Sequence, residues 1–398
     1  MAATETVDRI EPTLLEDAPA EITDVVAELS AKAATLGSAL HPRTASNLAD
    51  LVRIMNTYYS NLIEGHRTGP RDIERALSGE LDQNKKRRDL QLEAKAHVRV
   101  QAEVDKLFAE GRLPDPTSSE FILYLHREFY RDAPESMLRI KGAGLEFVIE
   151  PGKWRSLPEH DVAVGQHLPP SSNRVPDFMR HFELRYRQQG LGKGSRILAL
   201  PAAHHRLNYI HPFPDGNGRV SRLMSHAMAH TAGIGAHGLW SVSRGLARGL
   251  ESRIEYKQMM DYADTPRQKD LDGRGNLSLR ALKEFTLWFL KVCLDQVTFM
   301  SGLFGIEALV QRFKKFVAQS KTLKPESSRL LEEALMRGEY DRGEAARITG
   351  LPERSARRVL NDVVAEGLLA SATQKGPVSL RFPADSLEIF FPRLYVQA

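Results

Sequence analysis

A short segment that begins at His211, HPFPDGNGRVSR, brings together a potential general base, a carboxylate, a Gly-Asn-Gly turn and two arginines. His211 precedes a proline, which disfavours helix, so we expect it in a loop where it can take a proton from a hydroxyl. Asp215 supplies a carboxylate that suits Mg²⁺. Gly216–Gly218 can bring backbone N–H groups together on an anion. Arg219 and Arg222 would share one helix face and offer guanidinium groups to phosphate oxygens. The segment therefore predicts a nucleotide site; the alternative is an ordinary loop-to-helix turn with surface arginines.

Two helices are expected to hold this segment. Val220 and Leu223 follow at helical spacing, which predicts a helix that begins in the Gly-Asn-Gly turn. The N-terminus of that helix would direct free N–H groups and the positive end of its dipole at an anion. An apparent helix precedes the segment, and we expect its His204 and His205 to pack rather than to bind a ligand.

The segment resembles the signature of Fic domains, HPFx(D/E)GNGRxxR, with Pro214 in the free position. The resemblance implies transfer of AMP from ATP to a hydroxyl side chain (Tyr, Thr or Ser) of a target protein, with Mg²⁺ as cofactor. It also implies a role for each residue, with His211 as the catalytic base and Asp215 as the metal ligand. Asn217 would be a catalytic residue that binds the α-phosphate together with the amides of Gly216 and Gly218. Arg219 and Arg222 would bind the β- and γ-phosphates. Relatives transfer phosphate, UMP or phosphocholine with the same core. The complete arginine pair favours a triphosphate bound as ATP would be, and leaves the base open.

A second segment, SNLIEG from Ser60 to Gly65, resembles the inhibitory motif of Fic proteins, in the class whose inhibitory helix precedes the core. The resemblance implies that Glu64 pairs with Arg222 and so competes with the γ-phosphate for its guanidinium group. Ser60 would cap or brace the inhibitory helix. The same glutamate could instead orient a water molecule for removal of AMP, which some members of the family do. The alternative is a plain amphipathic helix end, since Gly65 is a good helix stop.

The segment between these motifs resembles the β-hairpin flap of Fic proteins. Val162 and Val164 alternate, which predicts a short strand, and Gly165 follows. A strand edge over the site could pair with an extended segment of the target and fix its hydroxyl near His211. The alternative is a surface hairpin with no role in binding.

The chain changes character after a polar linker at residues 319–327. Gly350 separates two helical runs, as in a helix-turn-helix, and apolar stretches at 367–369 and 378–382 predict the two strands of a wing. This order resembles a winged-helix domain.

Arg354, Arg357 and Arg358 would lie on one face of its second helix, at three- and four-residue spacing. Contacts to DNA phosphates or base edges in a major groove need that arrangement. The alternative is a winged helix that packs or recognises a protein, with solvated arginines. Neighbouring Glu353 and Asp362 lower the local charge, so the sequence leaves DNA binding open.

Length, net charge and residue counts limit the functional classes to which this chain can belong. The 398 residues are enough for two or three domains, and a net charge of +4 is too small to demand a nucleic acid. The single cysteine, Cys293, excludes an intramolecular disulfide and favours a buried thiol. The acidic N-terminal stretch lacks the order of a signal peptide, and no apolar run is expected to span a bilayer. The HExxH motif does not occur, so no zinc site is predicted. These observations predict a cytoplasmic protein without a membrane partner.

The resulting prediction is a mainly α fold, with a Fic-type helical core, a small β-hairpin flap and a C-terminal winged helix-turn-helix domain. The predicted domains are an N-terminal helical region with the inhibitory motif at 1–115, the catalytic core at 116–318 and the winged helix at 319–398. The predicted function is that of a self-inhibited protein adenylyltransferase. The alternative is a nucleotide-sensing regulator that binds DNA or a partner through the winged helix. The resemblance also allows self-modification and a homodimer.

Overall fold

The computed structural model describes residues 5–142, 145–165, 167–373 and 375–395. The chain is mostly helical, which confirms the predicted fold class. Its helices are α1 Ala20–Ser38, α2 Pro42–Ile63, α3 Pro70–Leu77, α4 Lys85–Ala109, α5 Ser119–Tyr130, α6 Glu135–Leu138, α7 Val175–Tyr186, α8 Lys193–Ile210, α9 Asn217–Thr231, α10 Val242–Arg248, α11 Glu255–Ala263, α12 Leu279–Phe304, α13 Ile306–Gln319, α14 Ser327–Arg337, α15 Ala345–Thr349, α16 Glu353–Ala365 and α17 Leu387–Phe390. Its strands are β1 Arg139–Gly142, β2 Leu145–Val148, β3 Glu339–Tyr340, β4 Leu369–Ala370 and β5 Val378–Leu380.

The described residues divide into two compact units. One comprises the residues up to Ala31 together with Asn56–Gly235 and Ser241–Gln296, and the other comprises Lys32–Met55, Ala236–Trp240 and the residues from Val297 onward. The division predicted from the sequence, with boundaries at 115 and 318, stays a prediction.

Helices α8 and α9 form the centre of the first unit. They pack against each other, and α9 is also in contact with α4, α5 and α10. Nearly every side chain of α9 is buried, polar ones such as Ser221 and Ser225 included. Because α9 is enclosed by helices, its polar groups must find partners inside the protein.

Helix α2 ends next to this centre. Tyr59 and Ser60 are fully buried, and the helix stops at Ile63 because Gly65 takes a left-handed conformation with φ of 79°. The Gly65 N–H donates to the Leu62 carbonyl at 3.0 Å. The predicted helix stop is thus observed, and it fixes where the residues after the helix lie.

The predicted strand at Val162 and Val164 is wrong in extent. The two-stranded hairpin lies earlier, where β1 pairs with β2 in antiparallel register. At the predicted position the structure holds a single bridge, between Val164 and His167, with N–H···O distances of 2.9 and 3.0 Å. Gly165, with φ of 61°, takes a left-handed conformation in the turn, and the described residues on either side of the bridge form no further strand pairs.

In the second unit, α14, β3, α15, α16, β4 and β5 follow one another along the chain, and the strand order in the sheet is β3-β5-β4. Helix α14 packs on α15, α16, β3 and β5. Gly350 takes a left-handed conformation between α15 and α16, as the turn of a helix-turn-helix requires. The elements occur in the predicted order, and their assignment as a winged helix stays a prediction.

One expectation about apolar runs needs correction. Helix α12 is long and apolar enough to cross a bilayer by length and composition alone, although no such run was expected. Its most apolar stretch is 56% buried inside the protein, as is usual for a core helix. Cys293 lies in this helix and is buried, and burial raises the pKa of its thiol.

Candidate functional site

The loop between α8 and α9 carries the signature residues. His211 follows α8 directly in a left-handed conformation, with φ of 50° and ψ of 60°, and its N–H donates to the Leu207 carbonyl at 3.0 Å. The Asn217 side chain closes the loop, since it accepts from the Phe213 N–H at 2.9 Å and donates to the Phe213 carbonyl at 2.7 Å. The loop is therefore tied to the first residue of α9 at one end and to α8 at the other.

A buried arginine, Arg155, supports this loop from outside the signature. Its Nε donates to the His211 carbonyl at 2.7 Å, and its backbone N–H donates to the Pro212 carbonyl at 2.9 Å. Its Nη1 donates to both Ser172 Oγ and Asp161 Oδ1, at 2.9 Å each. The guanidinium group thus fixes the backbone on which the His211 imidazole is mounted.

The environment of His211 keeps its imidazole neutral. Burial and, to a smaller extent, the positive charge of Arg155 lower the pKa of His211 to about 4, against weaker opposing effects of a hydrogen bond to the Asn208 backbone and of the Asp215 charge. A neutral imidazole has a free ring nitrogen that can accept a proton. The residue is therefore in the protonation state that a general base needs at neutral pH.

Arg219 is held at the start of α9 by a carboxylate from α4. Its Nε lies 3.0 Å from Glu93 Oε1, and its guanidinium carbon lies 5.4 Å from the centre of the Phe129 ring. Burial acts against the charge, but Glu93 and Asp215 raise the pKa of Arg219 above its ordinary value. The side chain is a permanent cation at the N-terminus of a helix, where an anion is already favoured.

Asp215 is the more open member of the site. Its side chain is 49% exposed, its Oδ2 accepts from the Tyr130 hydroxyl at 2.9 Å, and the same Oδ2 lies 4.0 Å from Arg219. A half-exposed carboxylate held by a single neutral donor fits a Mg²⁺ ion, which prefers oxygen ligands and retains several water molecules.

Arg222 is buried and is held by the end of α2. Its Nε donates to Ser60 Oγ at 2.9 Å, and its Nη2 lies 2.6 Å from Glu64 Oε1. Burial works to raise the pKa of the Glu64 carboxyl, but the charges of Arg222 and Arg219 bring it below its ordinary value. The structure thus brings together the two segments that the sequence singled out, which are 162 residues apart in the case of Ser60 and Arg222.

The two glycines of the loop serve different ends. Gly216 has φ of 81°, and a Cβ there would meet the Tyr130 hydroxyl oxygen at 2.9 Å. Gly218 has no left-handed conformation, yet a Cβ there would meet Glu64 Oε1 at 2.5 Å. Of the two glycines, only Gly216 has a left-handed backbone conformation; Gly218 supplies space, and the Glu64 carboxylate fills it.

The remaining residues that the sequence singled out have different surroundings. Val164 is exposed, in the bridge with His167. His204 packs as expected: it is buried, and its two ring nitrogens lie 2.8 Å from Ser225 Oγ and 2.8 Å from the Tyr256 hydroxyl. Exposed side chains on α16 belong to the second unit: Arg354, Arg357 and Arg358.

Three contributors were not found from the sequence. Arg155 lies in the sequence GKWR, which indicates no role by itself. Tyr130 and Glu93 carry no signal in the sequence because their partners lie 85 and more than 100 residues away. A carboxylate as buried as Glu93, which is 5% exposed, needs a cation as its partner. This burial is known from the structure and could not be read from the sequence.

Comparison with known proteins gives a consistent result. Residues 116–229 match the model of the Fic/DOC family. Over 87 residues the chain is 40% identical to the protein adenylyltransferase Fic of Aedes aegypti, and over 85 residues it is 35% identical to the protein of the same name from Drosophila melanogaster. Each match covers 21% of this chain but only 16% and 17% of those proteins, so the chain spans about a sixth of the length of the curated relatives it matches.

The solved structures give the same fold over more of the chain. A Fic family protein from Desulfovibrio desulfuricans G20 aligns with a TM-score of 0.52 at 17% identity, over 92% of this chain and 98% of that one. Fic-1 (aa134–508) from C. elegans aligns with a TM-score of 0.51 at 15% identity, over 71% of this chain and 72% of that one. At such identities the likeness concerns the fold alone.

Proposed function

Because residues 116–229 form a Fic domain, we propose that this protein transfers AMP from ATP to a hydroxyl side chain of a target protein. The observation that carries the proposal is the loop tied by Asn217, which presents a neutral His211 at one end and the N-terminus of α9 with two arginines at the other. The whole-protein activity, the target and the choice of Tyr, Thr or Ser belong to this proposal. A cytoplasmic location, self-modification and a homodimer are part of it as well.

In the proposed reaction the target hydroxyl attacks the α-phosphorus of ATP. His211 takes the hydroxyl proton, a new O–P bond forms, the bond from the α-phosphorus to the bridging oxygen breaks, and pyrophosphate leaves. Asn217 and the backbone N–H groups of Gly216 and Gly218 would bind the α-phosphate. The target's hydroxyl would be aligned by an extended segment lying along Val162 and Val164.

Asp215 would hold the Mg²⁺ ion, which neutralises phosphate charge when it is bound. The Tyr130 hydroxyl orients the Asp215 carboxylate. Arg219, fixed by Glu93, and Arg222, once it is released from Glu64, would bind the β- and γ-phosphates.

The inhibitory part of the proposal follows from competition for one guanidinium group. Arg222 cannot bind Glu64 and the γ-phosphate in the same way at once, because Glu64 Oε1 already occupies its Nη2 at 2.6 Å. ATP would then bind in a pose that misaligns its α-phosphate. A Glu64 carboxylate displaced from Arg222 could also orient a water molecule and support removal of AMP from a modified target.

The test is labelling with ATP that carries the label on its α-phosphate, in the presence of Mg²⁺. Wild type, Glu64→Gly and Glu64→Gly/His211→Ala are compared. The chain offers a matched control in Glu110→Gly, because Glu110 and the left-handed Gly111 end α4 as Glu64 and Gly65 end α2.

We expect label on the protein or on a target with Glu64→Gly, none with the double variant, and wild-type behaviour with Glu110→Gly. Label that persists without the His211 imidazole would refute its role as base. No label with any variant and any added protein extract would refute AMP transfer. Activation by Glu110→Gly would mean that loss of a helix end, rather than release of Arg222, is the cause.

A second candidate function rests on α16. Arg354, Arg357 and Arg358 are exposed, and no ion pair to them occurs within the described residues. Unpaired guanidinium groups on one helix face suit DNA phosphates, so the protein would also be a nucleotide-sensing regulator that binds DNA.

The test is the binding of DNA fragments from the protein's own locus at low and high salt. Arg357→Ala should weaken binding, whereas Arg347→Ala should not, since Arg347 is already neutralised by Glu333 and Glu344 at 2.7 and 2.8 Å. Absence of binding at low salt, or equal loss with both variants, would refute DNA recognition by α16 and favour a protein partner.

A further inference from the structure

The far end of α9 carries a cluster that the proposed reaction does not use. His226 and His230 are four residues apart, so they project from one face of the helix, one turn apart. Asp105 of α4 faces them. Its Oδ1 lies 2.6 Å from His226 Nε2 and 2.8 Å from His230 Nε2, and the two Nε2 atoms are 3.2 Å apart.

The cluster is enclosed by the protein. His226 is 6% exposed, His230 is 3% exposed, and the Asp105 side chain is 10% exposed. The Phe108 ring stacks on the His230 ring with 4.5 Å between centroids. Gly235 also packs closely on His230, because a Cβ at 235 would lie 2.9 Å from the His230 Cγ. The imidazoles are thereby fixed in the orientation that points both Nε2 atoms at one place.

The separation of the two ring nitrogens matches a shared metal ion. At a Zn–N distance of about 2.0–2.1 Å, two nitrogens at neighbouring corners of a tetrahedron are about 3.3–3.4 Å apart. His226 Nε2 and His230 Nε2 are at 3.2 Å. The Asp105 oxygen lies somewhat closer than such an edge, so it would move outward by about half an ångström to become the third ligand.

The alternative is a cluster of hydrogen bonds. Both imidazoles would then donate to the same Asp105 oxygen, and their two N–H groups would meet at the 3.2 Å contact. Two donors facing each other repel, whereas two lone pairs directed at a cation do not. The ligand set of two imidazoles and one carboxylate also suits zinc and its neighbours in the first transition row rather than Mg²⁺.

We propose that Asp105, His226 and His230 form a transition-metal site, for which Zn²⁺ is the fitting ion, with a water molecule as the fourth ligand. Such an ion would join α4 to the C-terminal half of α9. The same two helices carry Glu93 and Arg219, so the site would help to fix the spacing at which that ion pair forms. It is separate from the Asp215 carboxylate and does not depend on AMP transfer.

The test uses the full chain, freed of metal by a chelator, and titrates it with Co²⁺ as a spectroscopic probe. Wild type should bind one equivalent with the visible absorption of tetrahedral Co²⁺, Zn²⁺ should displace it, and Zn²⁺ should raise the Tm. Asp105→Asn should weaken binding at least tenfold and His226→Gln should abolish the absorption. His181→Gln is the matched control, since His181 also pairs with a carboxylate, Glu11, at 2.8 Å.

Wild-type protein that binds neither ion at micromolar concentration would overturn the proposal, and this outcome does not depend on any variant being folded. So would a His226→Gln variant that binds as wild type does, or loss of the absorption in His181→Gln. Circular dichroism of the variants without metal separates loss of a ligand from loss of the fold. If Asp105→Asn lowers the Tm by the same amount with and without Zn²⁺, the cluster is hydrogen-bonded only.

Discussion

Ser60→Ala offers a graded test of the restraint on Arg222. The Ser60 hydroxyl accepts from Arg222 Nε at 2.9 Å, and the bond is buried, with Ser60 at 0% and Arg222 at 2% exposure. A hydrogen bond to a charged group contributes about 1.5–3 kcal/mol. If Arg222 leaves Ser60 in order to bind the γ-phosphate, the substitution destabilises only the restrained state.

Conversion of that free energy gives the expected effect on rate. At 1.36 kcal/mol for each factor of ten, the loss corresponds to about 10- to 150-fold faster AMP transfer. The Ser60 carbonyl also accepts from Arg222 Nη2, at 3.4 Å, and the substitution leaves that contact in place. We therefore expect the lower end of the range, about tenfold.

The assay is the initial rate of transfer from ATP labelled on the α-phosphate, for Ser60→Ala in the wild-type background and in the Glu64→Gly background. The two changes release the same guanidinium group, so their effects should not multiply, and Ser60→Ala should add less than about threefold to Glu64→Gly. A tenfold gain in both backgrounds would refute the reasoning, because Ser60 would then act on something other than the restraint. A loss of activity in the wild-type background would also refute it, since it would mean that Ser60 holds Arg222 for ATP.

Three further predictions follow from the site. Burial lowers the pKa of His211 from 6.5 to about 4, so its imidazole stays in the base form down to that pH. The rate of AMP transfer by Glu64→Gly should therefore stay level between about pH 5 and 7 and fall near pH 4. A fall centred at pH 6.5 would contradict the lowered pKa. The same lowered pKa makes the folded state less stable at low pH. As the pH drops from 6.5 toward 4, the unfolded state binds the His211 proton first, so the free energy of unfolding falls. Chemical denaturation over this pH range should show a smaller fall for His211→Ala than for wild type. Tyr130→Phe removes the hydrogen-bond donor to Asp215, so the Mg²⁺ concentration that gives half-maximal rate should rise about 10- to 100-fold. If the substitution changes only the rate at saturating Mg²⁺, the Tyr130 hydroxyl does not act through the Asp215 carboxylate. Arg155→Lys cannot reproduce the fork that binds the His211 carbonyl, so it should lower the free energy of unfolding by at least about 1.5–3 kcal/mol and slow transfer, and an unchanged rate would show that this support is dispensable.

The predictable part of the site is the part encoded by neighbours in the sequence. His211 and Asn217 could be assigned together because one loop holds both, and Gly65 could be assigned as a helix stop because its effect is local. The long-range pair of Glu64 and Arg222 could be proposed only because each lies in a recognisable motif. Arg155, by contrast, binds a carbonyl 56 residues away, and no pattern around it reports that contact.

The wrong predictions share a physical cause. The alternation of Val162 and Val164 is the pattern of a strand, but a strand also requires a hydrogen-bonded partner, and among the described residues here only the bridge between Val164 and His167 forms. The four-residue spacing of His226 and His230 is readable in the sequence, but the carboxylate that faces them, Asp105, lies on another helix 121 residues earlier and could not be assigned to them. A sequence pattern describes neighbouring residues, whereas burial and pairing depend on residues that are distant in the sequence.

The absent side chain of Gly218 makes two positions of this chain interdependent. The volume that a methyl group would fill at position 218 is the volume that the Glu64 carboxylate occupies, 2.5 Å from the virtual Cβ. An alanine at 218 is acceptable to the helix backbone, but its methyl group would push the Glu64 carboxylate aside and would also lie 3.0 Å from Arg222 Nη1. The ion pair of Glu64 and Arg222 therefore depends on the size of a third residue that carries no charge and makes no bond to either partner.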